Sequence, residues 1–492
     1  MLFPTTAFAL FYAAVLLLWW TLPARRPLGR KLLLLAANLF FYAWWSWKFA
    51  LMLLASALAN HALASAAAAA GPRGRARIVR AGVAANVALL AFFKYAGFIL
   101  IGAVSPAVAA LCRAVAPEAL DAFVSFQTAR TIPFVQDIVL PIGISFYTFQ
   151  NVSYLVDVGR GSCRPARSAL DYANFLAFFP KLCAGPIARP DALLRQMEDP
   201  PGAEARIDTG RATWLIAFGL LKKTVLANFL AESLVDPFFG HASSLGAVDA
   251  VLGAWGYAVQ LYLDFSAYTD MAVGLALLLG FSLPVNFDAP YFAGSLGEFW
   301  RRWHISLSSW LRDYLYIPLG GSRRGTARTC LNLFLVMLLG GLWHGAGWMF
   351  LLWGALHGAL LALERLALGG GRAPAPGPAA LALRRFLTFN AVSALWLFFR
   401  AGTGGLGLSG AAEVFGAFTR FRAPALSLSA ATAAVLAAGF LCQLADAYRP
   451  RKLWDAFGRL PAAVQGLAAA AAATLVLGLG PSGIPAFIYF QF

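Results

Sequence analysis

Charged side chains are scarce in this chain: Asp, Glu, Lys and Arg make up 12% of its 492 residues, while 60% are hydrophobic. Soluble globular domains carry roughly 25% charged residues. A water-soluble fold is therefore excluded, and the mean hydropathy of +0.69 points to a polytopic membrane protein. Acid is scarcer than base, with 22 Asp and Glu against 39 Lys and Arg, for a net charge of +17. That surplus gives no nucleic-acid signal, because it falls in short clusters between apolar runs. The clusters are Arg25–Arg26 with Arg30–Lys31, Arg73 to Arg80, Arg160 to Arg167, Arg323 to Arg328, Arg384–Arg385 and Arg449 to Lys452. Cytoplasmic loops carry this bias, and the partner it implies is a lipid bilayer with an anionic inner leaflet.

Cysteine is equally sparse. The five (Cys112, Cys163, Cys183, Cys330, Cys442) show no CxxC pair and no ligand spacing, which gives no support for a disulfide framework or a zinc site. No GxxxxGK[ST], no GxGxxG after a strand, no HExxH and no GxSxG in a strand–turn–helix setting occurs. No metal and no tightly bound cofactor is expected. Ser306, Ser308 and Ser309 lack a paired carboxylate and make poor acyl-enzyme nucleophiles. The first apolar run, Leu2 to Leu22, has no basic n-region or small-residue cleavage site and reads as a retained helix.

What the chain has in abundance is hydrophobic runs. A spanning helix needs about 20 apolar residues, and candidate spans lie at 6–22, 32–54, 55–70, 81–112, 138–158, 211–232, 250–280, 331–348, 349–368, 386–400, 427–446 and 463–480. The expected architecture is all-α, a polytopic transmembrane bundle of roughly 10–12 spans forming one membrane-embedded domain over 1–492. Helices 32–54 and 55–70 read as an outward hairpin returning to a basic loop at 72–80. Residues 113–137 read as an external loop or surface helix, and GGGRAPAPGPAA (369–380) as a flexible loop. Two segments are broken by proline: 168–205, and 284–318 with its Trp and Arg. Irregular backbone at membrane depth survives only when buried in protein or lining a wet cavity, so both are candidate re-entrant or interfacial pieces around a site.

Three of the five histidines (His304, His344, His357) fall between Glu298 and His357. An ionisable group inside a membrane segment is a functional-site hypothesis, and a neutral imidazole can take a proton from a hydroxyl as general base. The basic flanks at 323–328 and 384–385 predict a hairpin turning outward at His344-Gly345-Ala346-Gly347. That puts His344 mid-membrane or further out, with glycines 340, 341, 345 and 347 leaving room beside the ring. His304, among Arg301, Arg302 and Arg312, is expected nearer the cytoplasm, so that one passage has a histidine toward each mouth. His357 lies roughly 220° around a continuous helix from His344 and is expected to point elsewhere. Like His61 and His241, it reads as a hydrogen-bonded structural residue. Asp264 and Tyr268, at i,i+4, could bond each other within a structural polar network. The three arginines fit either a phosphate clamp or an interfacial belt with Trp300, Trp303 and Trp310.

Several blocks together resemble the membrane-bound O-acyltransferase family, in its bacterial polysaccharide-modifying branch. They are LPIGISFYTFQNVSYLVDV (140–158), FFPKLCAGPI (178–187), LDFSAYTDMAVG (263–274), NFDAPY (286–291), FWRRWHISLSSWLRDYLYIPLGG (299–321), GGLWHGAGWMFLLWG (340–354) and FIYFQF (487–492). The motif core is 138–368. The resemblance implies a ring of helices around a central tunnel, with His344 catalytic and His304 its companion. Trp343, Asp313, Tyr314 and Arg302 follow as tunnel or supporting residues. It further implies acetyl-CoA or another acyl thioester as co-substrate on the cytoplasmic side of the cell inner membrane. A polysaccharide acceptor and a periplasmic SGNH-like acyltransferase partner complete the picture. Lys181 departs from the family's pattern and could touch the donor or snorkel to the interface. Two other readings fit the same segments: a polysaccharide transporter or flippase, and a non-catalytic scaffold for a periplasmic acetyltransferase.

Overall fold

The computed structural model describes residues 3–23, 27–202, 207–367, 377–426, 428–448, 451–479 and Phe487. Arg25, Arg26 and Arg449 of the basic clusters lie outside the described residues, as do most of the 369–380 loop and all of the terminal motif but Phe487. Every regular element among the described residues is helical. Among the described residues, seven helices are long and apolar enough to cross a membrane: Trp47–Ala69, Pro72–Val115, Thr209–Gly240, Ala247–Leu278, Gly325–His344, Trp348–Ala367 and Pro378–Thr403. The apolar helices Thr6–Thr21 and Ala430–Ala445 are shorter.

The most interior of these is Ala247–Leu278, 83% buried over its apolar window, against 6% for Pro72–Val115. Ala247–Leu278 carries Asp264 and Asp270, which inside a membrane must face protein partners, here Lys223 and Lys222. Pro72–Val115 instead carries exposed Val87, Phe92, Ile99 and Leu111, an outward face suited to lipid acyl chains.

Two expected boundaries move, each for a local reason. The turn predicted at 54/55 lies at 44–46, where the Ser46 hydroxyl accepts a hydrogen bond from the Phe49 amide at 3.5 Å. An N-cap serine starts a helix, and nothing in Trp47–Ala69 stops one. The basic stretch expected as a loop at 72–80 is the opening of the Pro72–Val115 helix, because proline fits the first helical turn where no amide is needed. The Ile144–Arg160 helix is only 17 residues long, and most of it is buried. Its N-cap, Gly143, has φ +74 and a position where a Cβ would sit 2.4 Å from the Leu182 carbonyl oxygen.

Both proline-broken segments fold into pieces too short to span. The first forms Ala169–Ala177 and Phe179–Leu182, almost wholly buried. The second runs extended to a turn at Pro290–Phe292, then forms Leu296–Arg302, Ile305–Leu311 and a wide turn at Arg312–Tyr316. Residues 113–137 are largely helical and mostly exposed or half-buried, the surface-helix form of that expectation.

Candidate active site

His344 is the last residue of Gly325–His344, and the chain reverses over Gly345-Ala346-Gly347 into Trp348–Ala367. The two helices touch backbone to backbone. A Cβ on Gly341 would sit 2.2 Å from the Phe350 carbonyl oxygen, one on Gly354 2.4 Å from that of Met337, and one on Gly345 2.0 Å from the Phe350 ring. Small residues at such a crossing permit close packing in lipid. Gly341 and Gly345 therefore close the hairpin instead of leaving space beside the imidazole, as the sequence had suggested.

The His344 ring is buried among aromatics. Its centroid lies 4.9 Å from Trp343, 5.3 Å from Trp353 and 5.3 Å from Phe399, in edge-on geometries. Its helix end is held from outside. Lys94 Nζ donates to the carbonyls of Trp343 (2.6 Å) and His344 (3.0 Å), and the Tyr95 hydroxyl donates to that of Leu342 (2.8 Å).

His304 links the short helices Leu296–Arg302 and Ile305–Leu311 and has φ +43 and ψ +55. A left-handed backbone at a residue with a branched ring costs about 1–3 kcal/mol and is kept only where the surroundings impose it. Asn286 imposes it here. Its carbonyl accepts from the Ile305 amide (2.9 Å) and its side-chain oxygen from the Ser306 amide (3.1 Å), while the Ser306 hydroxyl accepts from the Ile187 amide (2.9 Å). The ring packs edge-on against Phe265 at 4.8 Å and faces Trp343 at 6.3 Å. The two histidines thus flank one indole, and the expectation of one toward each mouth is corrected. The fold of 284–306 back onto Ala247–Leu278 sets His304 beside the hairpin tip, whatever its sequence distance from the basic cluster at 323–328.

His357 also returns to this cluster. Its ring lies 4.8 Å from Trp353, which also packs against His344, and its Nδ1 accepts from Trp300 Nε1 at 3.3 Å. The helical-wheel argument that sent it away fails because the helix breaks at 345–347, so two antiparallel helices replace one. Its expected hydrogen bond is present. His241 Nδ1 lies 3.1 Å from the Pro237 carbonyl oxygen, and His61 stacks on Tyr172 at 6.4 Å.

Other expected site residues are placed elsewhere. Asp313 pairs with Arg189 (2.8 Å) and Arg312 (2.7 Å). The Tyr314 hydroxyl donates to Asp157 (2.6 Å) under the Arg189 guanidinium. Arg302 pairs with Glu298 at 2.6 Å and does not line the cavity that Arg301 and Arg312 share, where Arg312 keeps its bond to Asp313. Lys181 is fully buried, bonded to Gln150 and, at 3.4 Å, to the Leu176 carbonyl. It does not snorkel. Asp264 pairs with Lys223 (2.5 Å) and Asp270 with Lys222 (2.5 Å), partners from the neighbouring helix that the i,i+4 reading did not foresee.

Two cavities flank the Gly325–His344 helix. One of ≈ 220 Å³ is lined by Lys94, Ser145, Cys183, Trp343 and His344. The other, of ≈ 350 Å³, is lined by Arg301, Ser308, Ser309, Arg312 and Met337. Met337 and His344 are separated by about 10 Å of helix rise at 1.5 Å per residue, so the cavities are stacked along one axis. Among the described residues no three His, Cys, Asp or Glu side chains gather as metal ligands.

Sequence reasoning missed Lys94, the one charged residue in the apolar 81–112 stretch. The intramembrane rule that selected the histidines selects it too. Asn286 carried no such signal, since its role is set by backbone groups far away in sequence.

The model of the membrane-bound O-acyltransferase family (MBOAT) matches residues 166–399. The chain is 39% identical over 431 residues to a probable alginate O-acetylase AlgI of Pseudomonas putida, covering 86% of this chain and 81% of that protein. The corresponding Pseudomonas aeruginosa protein is 42% identical over 405 residues, 82% of this chain and 72% of the relative. A peptidoglycan O-acetyltransferase of Helicobacter pylori is 36% identical over 405 residues, 77% and 72% respectively. Relatives so similar over most of both chains, with the helical fold and the LWHG hairpin described above, make this chain a member of the membrane-bound O-acyltransferase family and an O-acyltransferase.

Proposed function

We propose that this acyltransferase takes an acetyl group from a cytoplasmic thioester and delivers it across the inner membrane for O-acetylation of an exopolysaccharide or cell-envelope glycan such as alginate. The carrying observation is the stack of two cavities along Gly325–His344, with His344 lining the one at its C-terminal end. The helix begins beside Arg323, Arg324 and Arg328, and the positive-inside bias favours a cytoplasmic start. The cavity of Arg301 and Arg312 then opens to the donor, where two guanidiniums suit the phosphates of acetyl-CoA or another phosphorylated carrier thioester. The cavity of Lys94 and Ser145 receives the acceptor.

In this reading His344 is the general base. As an acceptor oxygen attacks the thioester carbonyl, its proton passes to the imidazole. The new C–O bond forms, the C–S bond breaks, and the departing thiolate takes the proton back. His304, across Trp343 in a constrained backbone, serves as companion by orienting the reacting group. The aromatic walls exclude water and protect the thioester from hydrolysis. The names of the Pseudomonas and Helicobacter relatives support a glycan as the final acceptor, reached directly or through a periplasmic SGNH-like partner.

The test is His344→Ala in the producing cell. Polymer should be exported at the normal level without O-acetyl groups, with the protein still inserted. Loss of export would favour a transporter, and unchanged acetylation a scaffold; either outcome sinks the proposal.

A further inference from the structure

We infer that Lys94 is a positioning residue for His344, an inference that rests on the acyl-transfer reading above. The last four carbonyls of any helix lack intrahelical partners, and Gly325–His344 ends where the base must be held. Three of these carbonyls are taken by adjacent side chains of one other helix. Lys94 Nζ binds those of Trp343 (2.6 Å) and His344 (3.0 Å), and the Tyr95 hydroxyl that of Leu342 (2.8 Å). A cation at a helix C-terminus also meets the negative end of the helix dipole. Nζ lies 3.4 Å from the Ser145 hydroxyl and 5.9 Å over the Trp343 ring, and Lys94 lines the same cavity as His344. Among the described residues no carboxylate pairs with it, so this cation is committed to carbonyls and a hydroxyl.

Burying an amine without a counter-ion is costly. A neutral cap would satisfy the same carbonyls at lower cost, as Tyr95 does one residue on. What lysine adds is three donors on one atom, which tie two successive carbonyls and reach the cavity wall at once. That fixes both the rotation and the height of the helix end, and with them the direction of the His344 ring. Past the break at Gly345 the helix's own cap reaches only the Gly341 carbonyl, through the Gly345 amide at 3.3 Å, and leaves the carbonyls of 342–344 to Lys94 and Tyr95. A base displaced by about 1 Å can lose on the order of 10²-fold in rate.

The experiment uses the full-length protein in native membranes, with labelled acetyl-CoA as donor probe and label recovered in polymer. Lys94→Met should lower kcat by about 10²-fold while leaving KM for acetyl-CoA within about twofold, because the residue lies in the other cavity. Lys94→Cys alkylated with 2-bromoethylamine, which rebuilds the amine at lysine length, should regain most of the rate beside identically treated wild type. A second readout needs no substrate: carbethoxylation of His344 by diethyl pyrocarbonate, followed by peptide mass spectrometry. Lys94→Met should raise its rate severalfold and leave that of His357 unchanged. If Lys94→Met does not insert, Tyr95→Phe removes one bond of the clamp and should give a smaller shift of the same sign in both readouts.

Unchanged kcat and unchanged His344 reactivity would overturn the inference. So would a fall in kcat with His344 reactivity unchanged, which would make Lys94 a substrate contact. If wild type transfers no label but His344 reactivity still rises in Lys94→Met, the acyl-transfer reading fails and the positioning role stands.

Discussion

The hairpin that carries His344 is closed by glycine, and Gly354→Ala tests what that closure does. A Cβ there would lie 2.4 Å from the Met337 carbonyl oxygen and 3.1 Å from the Leu338 Cα. The first distance is about 0.6 Å short of the 3.0 Å below which real Cβ atoms are essentially never found. The obstacle is backbone, so no side-chain rotation relieves it and the two helices must separate. Overpacking of this kind costs about 1–3 kcal/mol. The separation falls two turns before His344, in the helix that carries it, and a shift approaching 1 Å at the base costs on the order of 10²-fold in rate. Thermal unfolding in detergent and the O-acetyl content of secreted polymer measure the two effects. Gly466→Ala, where a Cβ meets nothing within 4 Å, is the control and should be neutral or slightly stabilising. Wild-type melting and wild-type acetylation in Gly354→Ala would refute the packing argument.

Three further outcomes follow from the same geometry. His304→Gly should melt above His304→Val by about 1–3 kcal/mol, because both lose the packed ring but only glycine adopts φ +43 freely. Both should lose acetyl transfer. Lys222→Met, which leaves Asp270 without the lysine 2.5 Å away, should cost about 3–5 kcal/mol in detergent melting, and much less when combined with Asp270→Asn. Cys163 is pushed up to about 11, first by burial and then by Asp157 and Asp191. Only its thiolate reacts, so maleimide labelling should be slow at pH 7.5 and rise about tenfold per pH unit toward 11.

The spans were legible wherever apolar runs were long and capped by local signals. Ser46 and Pro72 shifted two boundaries because capping acts over three or four residues, below the resolution of a hydropathy window. The hairpin tip at 345–347 was legible from its glycines, but their purpose was not. Close backbone approach and open space both call for glycine, and only the position of Phe350 and Gly354 separates them. His344, His304 and Trp343 were legible through the intramembrane rule and the family motifs. His357 was misplaced by extending one helix through a break. The ties of Asp313 to Arg189, of Tyr314 to Asp157 and of Asp264 to Lys223 join residues 41 to 157 positions apart. No periodicity within one segment reports such pairs.

Vectorial transfer in proteoliposomes tests the central claim most directly. Purified protein is reconstituted with a hydroxyl-rich acceptor polymer and periplasmic extract of the producing cell sealed inside, and labelled acetyl-CoA is added outside. For molecules oriented with Arg323–Arg328 outward, the account predicts alkali-labile label on the enclosed polymer with wild type and none with His344→Ala. Equal labelling by the two proteins would contradict it.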